Sequence, residues 1–195
     1  VVIVDNRTHK IVTYVGSSNF YDSLDGGQVN GVKAIRQPGS TLKPLLYGVC
    51  FDEGLLTPKT TLTDVPIMYD GYAPENYDKK FHGKVTVEYA LEQSLNIPAV
   101  KSLQQLTHEK FIQTLILCNF KQVQKDQRKL GLSLILGGCG TSLEELTGQF
   151  SIFANDGLYI KPSFLQRDSV YSKTRILSSA ANFMVNEILS KVNRP

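Results

Sequence analysis

The chain has no tryptophan, two methionines, three histidines and three cysteines among 195 residues. Cys50, Cys118 and Cys139 are odd in number and widely scattered, which excludes a disulfide framework. His9, His82 and His108 fall at no metal-ligand spacing, with each other or with the cysteines, so no metal and no cofactor is expected. No apolar run reaches the roughly 18–20 residues that span a bilayer. No signal sequence precedes the strand-like opening Val1-Val2-Ile3-Val4-Asp5, so the expectation is either a cytoplasmic protein or a targeting part outside this chain. The net charge of +3 is small. The most basic stretch, 121–129, mixes its lysines and arginine with glutamines and Asp126, which predicts a solvated loop and no nucleic-acid site.

What is present is ordinary globular material, 42% hydrophobic and 20% charged, enough for one domain or two lobes around a cleft. Residues 1–16 alternate around a polar turn at 6–10 and predict a β-hairpin. A loop rich in Gly, Ser, Asn and Asp follows over 16–31. Pro44 is tolerated in a first helical turn only, which predicts a helix from about Ser40 to Asp52, stopped by Gly54. Residues 54–84 read as an ordered but irregular connection. Helices are expected over 85–92, over 97–106 with Pro98 in its first turn, and over 108–117 capped by Thr107. Leu130–Leu136 is apolar, and Gly137-Gly138-Cys139-Gly140 lacks the glycine spacing of a nucleotide loop, so a tight turn is expected there. Ser142 with Glu145 makes a capping box for a helix whose apolar face is read as Leu143, Leu146, Phe150 and Phe153, ending at Gly157. A strand over 159–165 and an amphipathic helix over 179–192 complete the pattern, an α+β arrangement of a hairpin and a large helical region.

Two strings carry chemistry. Ser40-Thr41-Leu42-Lys43 is the only Ser-x-x-Lys in the chain. At i and i+3 on a helix, a hydroxyl and an amine share one face, and a serine becomes a nucleophile when a neighbouring base takes its proton. Ser94-Leu95-Asn96 lies at a turn between two expected helices. A hydroxyl there can relay a proton, and an amide can hold a peptide bond. Ser17-Ser18-Asn19 has the same spacing but sits in the loop, where it reads as turn chemistry.

With these two motifs in this order, the chain resembles the penicillin-binding D,D-transpeptidases of the serine β-lactamase and D,D-peptidase superfamily. The likeness is greatest for bifunctional class A enzymes of the one-C type. It runs through Pro38-Gly39-Ser40-Thr41-Leu42-Lys43-Pro44, Asp64-Val65-Pro66, Pro74-Glu75-Asn76-Tyr77-Asp78, Phe81-His82-Gly83-Lys84-Val85-Thr86, 90–100 and the stretch from Leu136-Gly137-Gly138 to Gly157. The resemblance implies a β-lactamase-like fold, with 1–53 and about 158–195 in a sheet-associated lobe and about 54–157 in a mainly helical one. It implies Ser40 as the acylated nucleophile, Lys43 as its base, Ser94 as the proton shuttle and Asn96 as the holder of the acyl-donor peptide. It further implies peptidoglycan stem peptides ending in D-Ala-D-Ala and β-lactams as partners, and the extracytoplasmic face of a bacterial membrane as location. An upstream anchor and glycosyltransferase domain belong to the family pattern.

The family's third motif, Lys-Thr/Ser-Gly, is absent. Lys59-Thr60-Thr61 lies too early, and Lys173-Thr174-Arg175 lacks the glycine. That motif and the last sheet strands are expected beyond Pro195, so the segment by itself is expected to be inactive or weakly active. The open sheet edge raises association of two copies as an expectation. A D,D-carboxypeptidase or serine β-lactamase, and a non-catalytic peptidoglycan- or β-lactam-binding module, are the alternatives. The Glu-x-x-Leu-Asn string of the β-lactamases occurs only at 92–96, overlapping Ser-x-Asn, and reads as coincidence.

Overall fold

The computed structural model describes residues 1–24, 26–69, 71–164 and 172–192. Strands β1 (Val2–Asp5) and β2 (Lys10–Tyr14) form the expected antiparallel hairpin, with a bulge between Ile3 and Val4. Its turn is closed by the Asp5 carboxylate, which accepts the Arg7 amide at 2.8 Å and the Thr8 hydroxyl at 2.9 Å. In the loop that follows, the Asn19 carboxamide accepts the Tyr21 amide at 3.1 Å, so the early Ser-x-Asn string is a turn.

The centre of the molecule is α1 (Lys43–Asp52), buried from Lys43 through Phe51. A helix apolar on every side must be enclosed. It rests against α3 (Asn96–Leu106) and α7 (Ser179–Ser190). Gly48 allows the close approach of α7, because a Cβ there would lie 2.9 Å from Leu177 and 3.3 Å from Val185. Leu45, Leu46, Leu103, Phe111 and Ile152 fill the core around α1.

The expected helix over 40–52 is corrected in its first turn. Residues Gly39–Leu42 form a 3₁₀ turn, and α1 proper begins at Lys43 with Pro44 just inside it. Gly54, at φ +67°, ends it. The irregular connection over 54–84 contains an antiparallel ribbon, β3 (Thr61–Asp64) with β4 (Gly83–Thr86). That ribbon takes Val85 and Thr86 from the expected helix, so α2 is Val87–Glu92, capped by the Thr86 hydroxyl on the Tyr89 amide. Helices α3 and α4 (His108–Leu117) follow the reading closely, with Thr107 capping α4.

The expected solvated loop over 121–129 is instead α5 (Lys121–Asp126) with a 3₁₀ turn, anchored by the buried Val123. The capping box of Ser142 and Glu145 is present at the start of α6 (Leu143–Ala154). Its inner face is only partly the one expected: Phe153 is in the core and Leu146 packs against it. Leu143 and Phe150 are exposed, and Gly148, Gln149, Ser151, Ile152 and Phe153 are buried. Small residues win here because neighbours come close: a Cβ on Gly148 would stand 3.1 Å from Pro162. Strand β5 (Leu158–Ile160) pairs with β6 (Lys173–Arg175), and Leu165 lies outside the described residues. Through Ser163, the segment after β5 exchanges backbone hydrogen bonds with His9 and Ile11 on the edge of the first hairpin, while β1 lies against α6. Among the described residues, three two-stranded sheets flank the helical body.

Candidate active site

Lys43 is the first residue of α1, and a helical side chain leans back toward the N-terminus. Its amine is thus carried out of the core toward the turn between α2 and α3, yet the residue is only 1% exposed. The turn is a Schellman motif at the end of α2: the Ser94 amide donates to Leu91 at 3.1 Å and the Leu95 amide to Ala90 at 2.9 Å. Leu95, Ala90 and Val85 form the small apolar cluster that accompanies it. Ser94 holds φ +54°, in the left-handed region where glycine is the usual occupant. That strained backbone turns the Ser94 carbonyl and hydroxyl toward Lys43.

Lys43 Nζ donates to the Ser94 carbonyl at 2.6 Å, to Asn96 Oδ1 at 2.7 Å and to Ser94 Oγ at 3.3 Å. All three contacts come from one turn 51–53 residues away in sequence, and all three acceptors are neutral. Burial pushes the Lys43 amine down to about 7. Taking a charge out of water disfavours the ammonium, and no carboxylate in contact restores it. Lys43, Ser94 and Asn96 are therefore brought together as a unit. Ser40 is half-buried one turn before Lys43, in the 3₁₀ turn, and its hydroxyl makes no hydrogen bond to Lys43 Nζ. Ser40, read from the sequence as the start of the α-helix, thus lies three residues before the start of α1 at Lys43.

Two contacts fix the turn that carries Ser40. Arg36 and Thr141 exchange backbone hydrogen bonds at 2.8 and 2.9 Å. Gly137, at φ +99°, abuts Gly39 so closely that a Cβ would lie 2.8 Å from the Gly39 nitrogen. Glycine is required here on both counts. The Leu-Gly-Gly string thereby supports the serine turn from behind.

Sequence reasoning missed a layer behind Asn96. Asn96 Nδ2 donates to the Glu75 carbonyl at 2.7 Å, while its backbone amide donates to Asn76 Oδ1 at 2.8 Å. Asn76 Nδ2 in turn reaches both oxygens of the fully buried Asp64, at 2.9 and 2.8 Å, and the Lys80 carbonyl at 2.8 Å. Asp64 also accepts the His82 backbone amide at 2.9 Å and faces His82 Nδ1 at 2.8 Å. The only signal was that these residues fall inside strings resembling the family. Beside Ser94 a pocket of about 180 Å³ opens, bordered by Tyr77, Asp78, His82 and Gln93. Lys59 pairs with Glu88, and Lys173–Arg175 is strand β6, so neither near-match of the third motif contacts Lys43. Among the described residues no cluster of His, Cys, Asp and Glu could hold a metal ion, and the three thiols are free and buried.

The penicillin binding protein transpeptidase domain matches residues 1–195 as a sequence family. The chain is 35% identical over 194 residues to penicillin-binding protein 1C of Escherichia coli, an alignment covering 100% of this chain and 25% of that protein. It is 34% identical over 167 residues to penicillin-binding protein 1F of Bacillus subtilis, covering 84% of this chain and 22% of the relative. The chain thus spans about a quarter of the length of the curated relatives it matches. In fold it is similar to the transpeptidase domain of Burkholderia pseudomallei penicillin-binding protein 3, with TM-score 0.81, 20% identity, and coverage of 100% of this chain and 62% of that one. A peptidoglycan glycosyltransferase structure from Burkholderia ambifaria is similar at TM-score 0.78 and 19% identity, over 96% of this chain and 63% of that one. An α+β body with a buried Ser-x-x-Lys lysine, a facing Ser-x-Asn turn and a family match along its whole length places this chain in the penicillin-binding protein transpeptidase family.

Proposed function

We propose that this chain carries the acyl-transfer site of a peptidoglycan D,D-transpeptidase. In this reading Ser40 Oγ attacks the carbonyl of the penultimate D-Ala of a stem peptide. Its proton passes to Lys43, the C–N bond breaks, and D-Ala leaves with a proton relayed through Ser94. An amine of a neighbouring strand then attacks the acyl-enzyme and forms the cross-link. A β-lactam acylates Ser40 in the same way.

The observation that carries the reading is the state of Lys43, buried and with its amine brought down to about 7. A general base works best when its pKa lies near the working pH. The contact geometry suits both protonation states. An ammonium has three donors for three acceptors. A neutral amine keeps two N–H groups for the short contacts to the Ser94 carbonyl and Asn96, and frees its lone pair. The longer contact to Ser94 Oγ is the one that reverses, with the hydroxyl donating. Both polar ends of the Asn96 side chain are occupied internally, so holding a substrate amide requires it to exchange one of them.

The same reading, through the class A resemblance, adds a glycosyltransferase partner domain, a membrane anchor and an extracytoplasmic location. No helix among the described residues is long and apolar enough to cross a membrane. Association of two copies through an exposed sheet edge belongs to the same reading. Light scattering at high concentration checks it, with a concentration-dependent dimer expected and a clean monomer rejecting it. The central test is labelling by a fluorescent penicillin. Wild type is expected to form a stable covalent adduct and Ser40→Ala none; equal labelling of both would reject Ser40 as the nucleophile. Rapid release of hydrolysed drug would move the assignment to a β-lactamase.

A further inference from the structure

The base in this site has a buried carboxylate close behind it that it never touches. Asp64 is fully buried, and its charge is spent on the Asn76 side-chain amide, the His82 backbone amide and His82 Nδ1. Between Asp64 and Lys43 stand two asparagines, the Asn76 carboxamide being joined to Asn96 through the Asn96 backbone amide. Each can point either way, and the direction matters. A carboxylate accepts only, so it draws the Asn76 amide nitrogen to itself. Asn76 Oδ1 is then left facing the backbone amide of Asn96 at 2.8 Å. That hydrogen bond holds the first residue of α3, whose own Nδ2 is fixed on the Glu75 carbonyl at 2.7 Å. Asn96 Oδ1 is what remains for Lys43.

We propose that Asp64, acting through Asn76, is a positioning residue of this site: it sets the direction of the Asn76 carboxamide, which holds the Asn96 backbone in the place where the Glu75 carbonyl turns Asn96 Oδ1 toward Lys43. The inference rests on the acyl-transfer reading for its consequence, but its geometry is independent of it. Reversing Asn76 would set an N–H against the Asn96 N–H and an oxygen against a carboxylate, two buried polar conflicts at once. The same arrangement keeps the negative charge of Asp64 from pairing directly with Lys43, a pairing that would favour the ammonium. Beside this relay Asp78 Oδ2 lies 3.5 Å from His82 Nε2, and Glu75 and Lys80 adjoin it through their carbonyls.

The test reads Lys43 directly, by NMR of protein labelled at lysine Cε, with the Lys43 signal identified by its loss in Lys43→Arg. In wild type, the side-chain amide signals of Asn96 and Asn76 are expected to move with the Lys43 midpoint near 7. An Asn76 signal that stays still through that titration overturns the relay. In Asp64→Asn the Lys43 midpoint is expected to fall, because a nearby negative charge and the fixed oxygen acceptor that favour the ammonium are both weakened, and penicillin labelling is expected to slow by up to about 100-fold, the scale of a small misplacement of reacting groups. The paired exchange Asp64→Asn with Asn76→Asp is expected to bring both back, since the amide now at 64 donates to the carboxylate at 76, which still accepts from Asn96. Asp64→Asn with wild-type midpoint and rate rejects the proposal, as does a paired variant that recovers neither. Where Asp64→Asn does not fold, the wild-type titration and the paired variant decide. Should Ser40→Ala label like wild type, the acyl-transfer reading falls while the lysine titration still judges the relay.

Discussion

Lys43 meets three acceptors and none of them carries a charge. Asn96→Asp changes that alone, placing a carboxylate where a carboxamide oxygen stands 2.7 Å from the amine. An opposite charge in contact raises a base by about 1–3 pH units. Acylation at pH 7 is expected to fall about 10-fold or more, and its rise with pH to move upward by a similar interval. Stopped-flow acylation across pH 6–10 measures both; an unmoved midpoint would show that the neutral partners of Lys43 are incidental. The meeting of Lys43, Ser94 and Asn96 was readable from the chain, because Ser-x-x-Lys and Ser-x-Asn compress their chemistry into short strings. Asn76 and Asp64 were not. Their partners lie 12 and 20 residues away, and no spacing rule links a loop amide to a buried strand carboxylate.

The turn between α2 and α3 puts a serine where helix ends use glycine. Holding a non-glycine residue there costs about 1 kcal/mol or more. Ser94→Gly is expected to raise unfolding stability by roughly that amount and to slow acylation, since the hydroxyl is lost. Urea denaturation together with penicillin labelling gives both readouts. A variant less stable than wild type would show that the serine hydroxyl, and not its backbone, dominates the turn. Elements with strong local signals were foreseen: the hairpin with its polar turn, α3 with Pro98 early, α4 under Thr107 and α6 under its capping box. The β3–β4 ribbon was not, because its strands are four residues each and pair across eighteen intervening residues. The inner face of α6 was half misread, at Leu143 and Phe150, for a different reason. Apolar size suggested one stripe, but closeness of approach selected another built on Gly148.

Across the molecule, burying Lys43 opposes folding. The amine gives up its proton near pH 7 in the folded state and near 10.5 in the unfolded one. Between these values the unfolded chain binds more protons, so stability rises with pH; below 7 the penalty is fully in force. The clean window is pH 7–8, with an expected gain of about 1 kcal/mol. Above it the buried thiols act in reverse. Cys50, Cys118 and Cys139 are pushed up to about 12 by burial, so the unfolded chain ionises first and stability declines. Denaturant titrations at pH 7.0 and 8.0 measure the effect, and Lys43→Met is expected to flatten it. A wild-type curve already flat there would mean that the amine is not held neutral by the fold. The helical body around α1 was foreseeable at this scale from composition and periodicity, whereas the segment joining β5 through Ser163 to the first hairpin depends on distant backbone pairing. One last consequence concerns light. Tyr77 stands wholly in solvent at the rim of the pocket beside Ser94, in a protein without a single indole. Tyr77→Trp would install the sole such fluorophore at the mouth of the site, so the arrival of an unmodified drug or peptide could be followed by its own quenching, against a dark background.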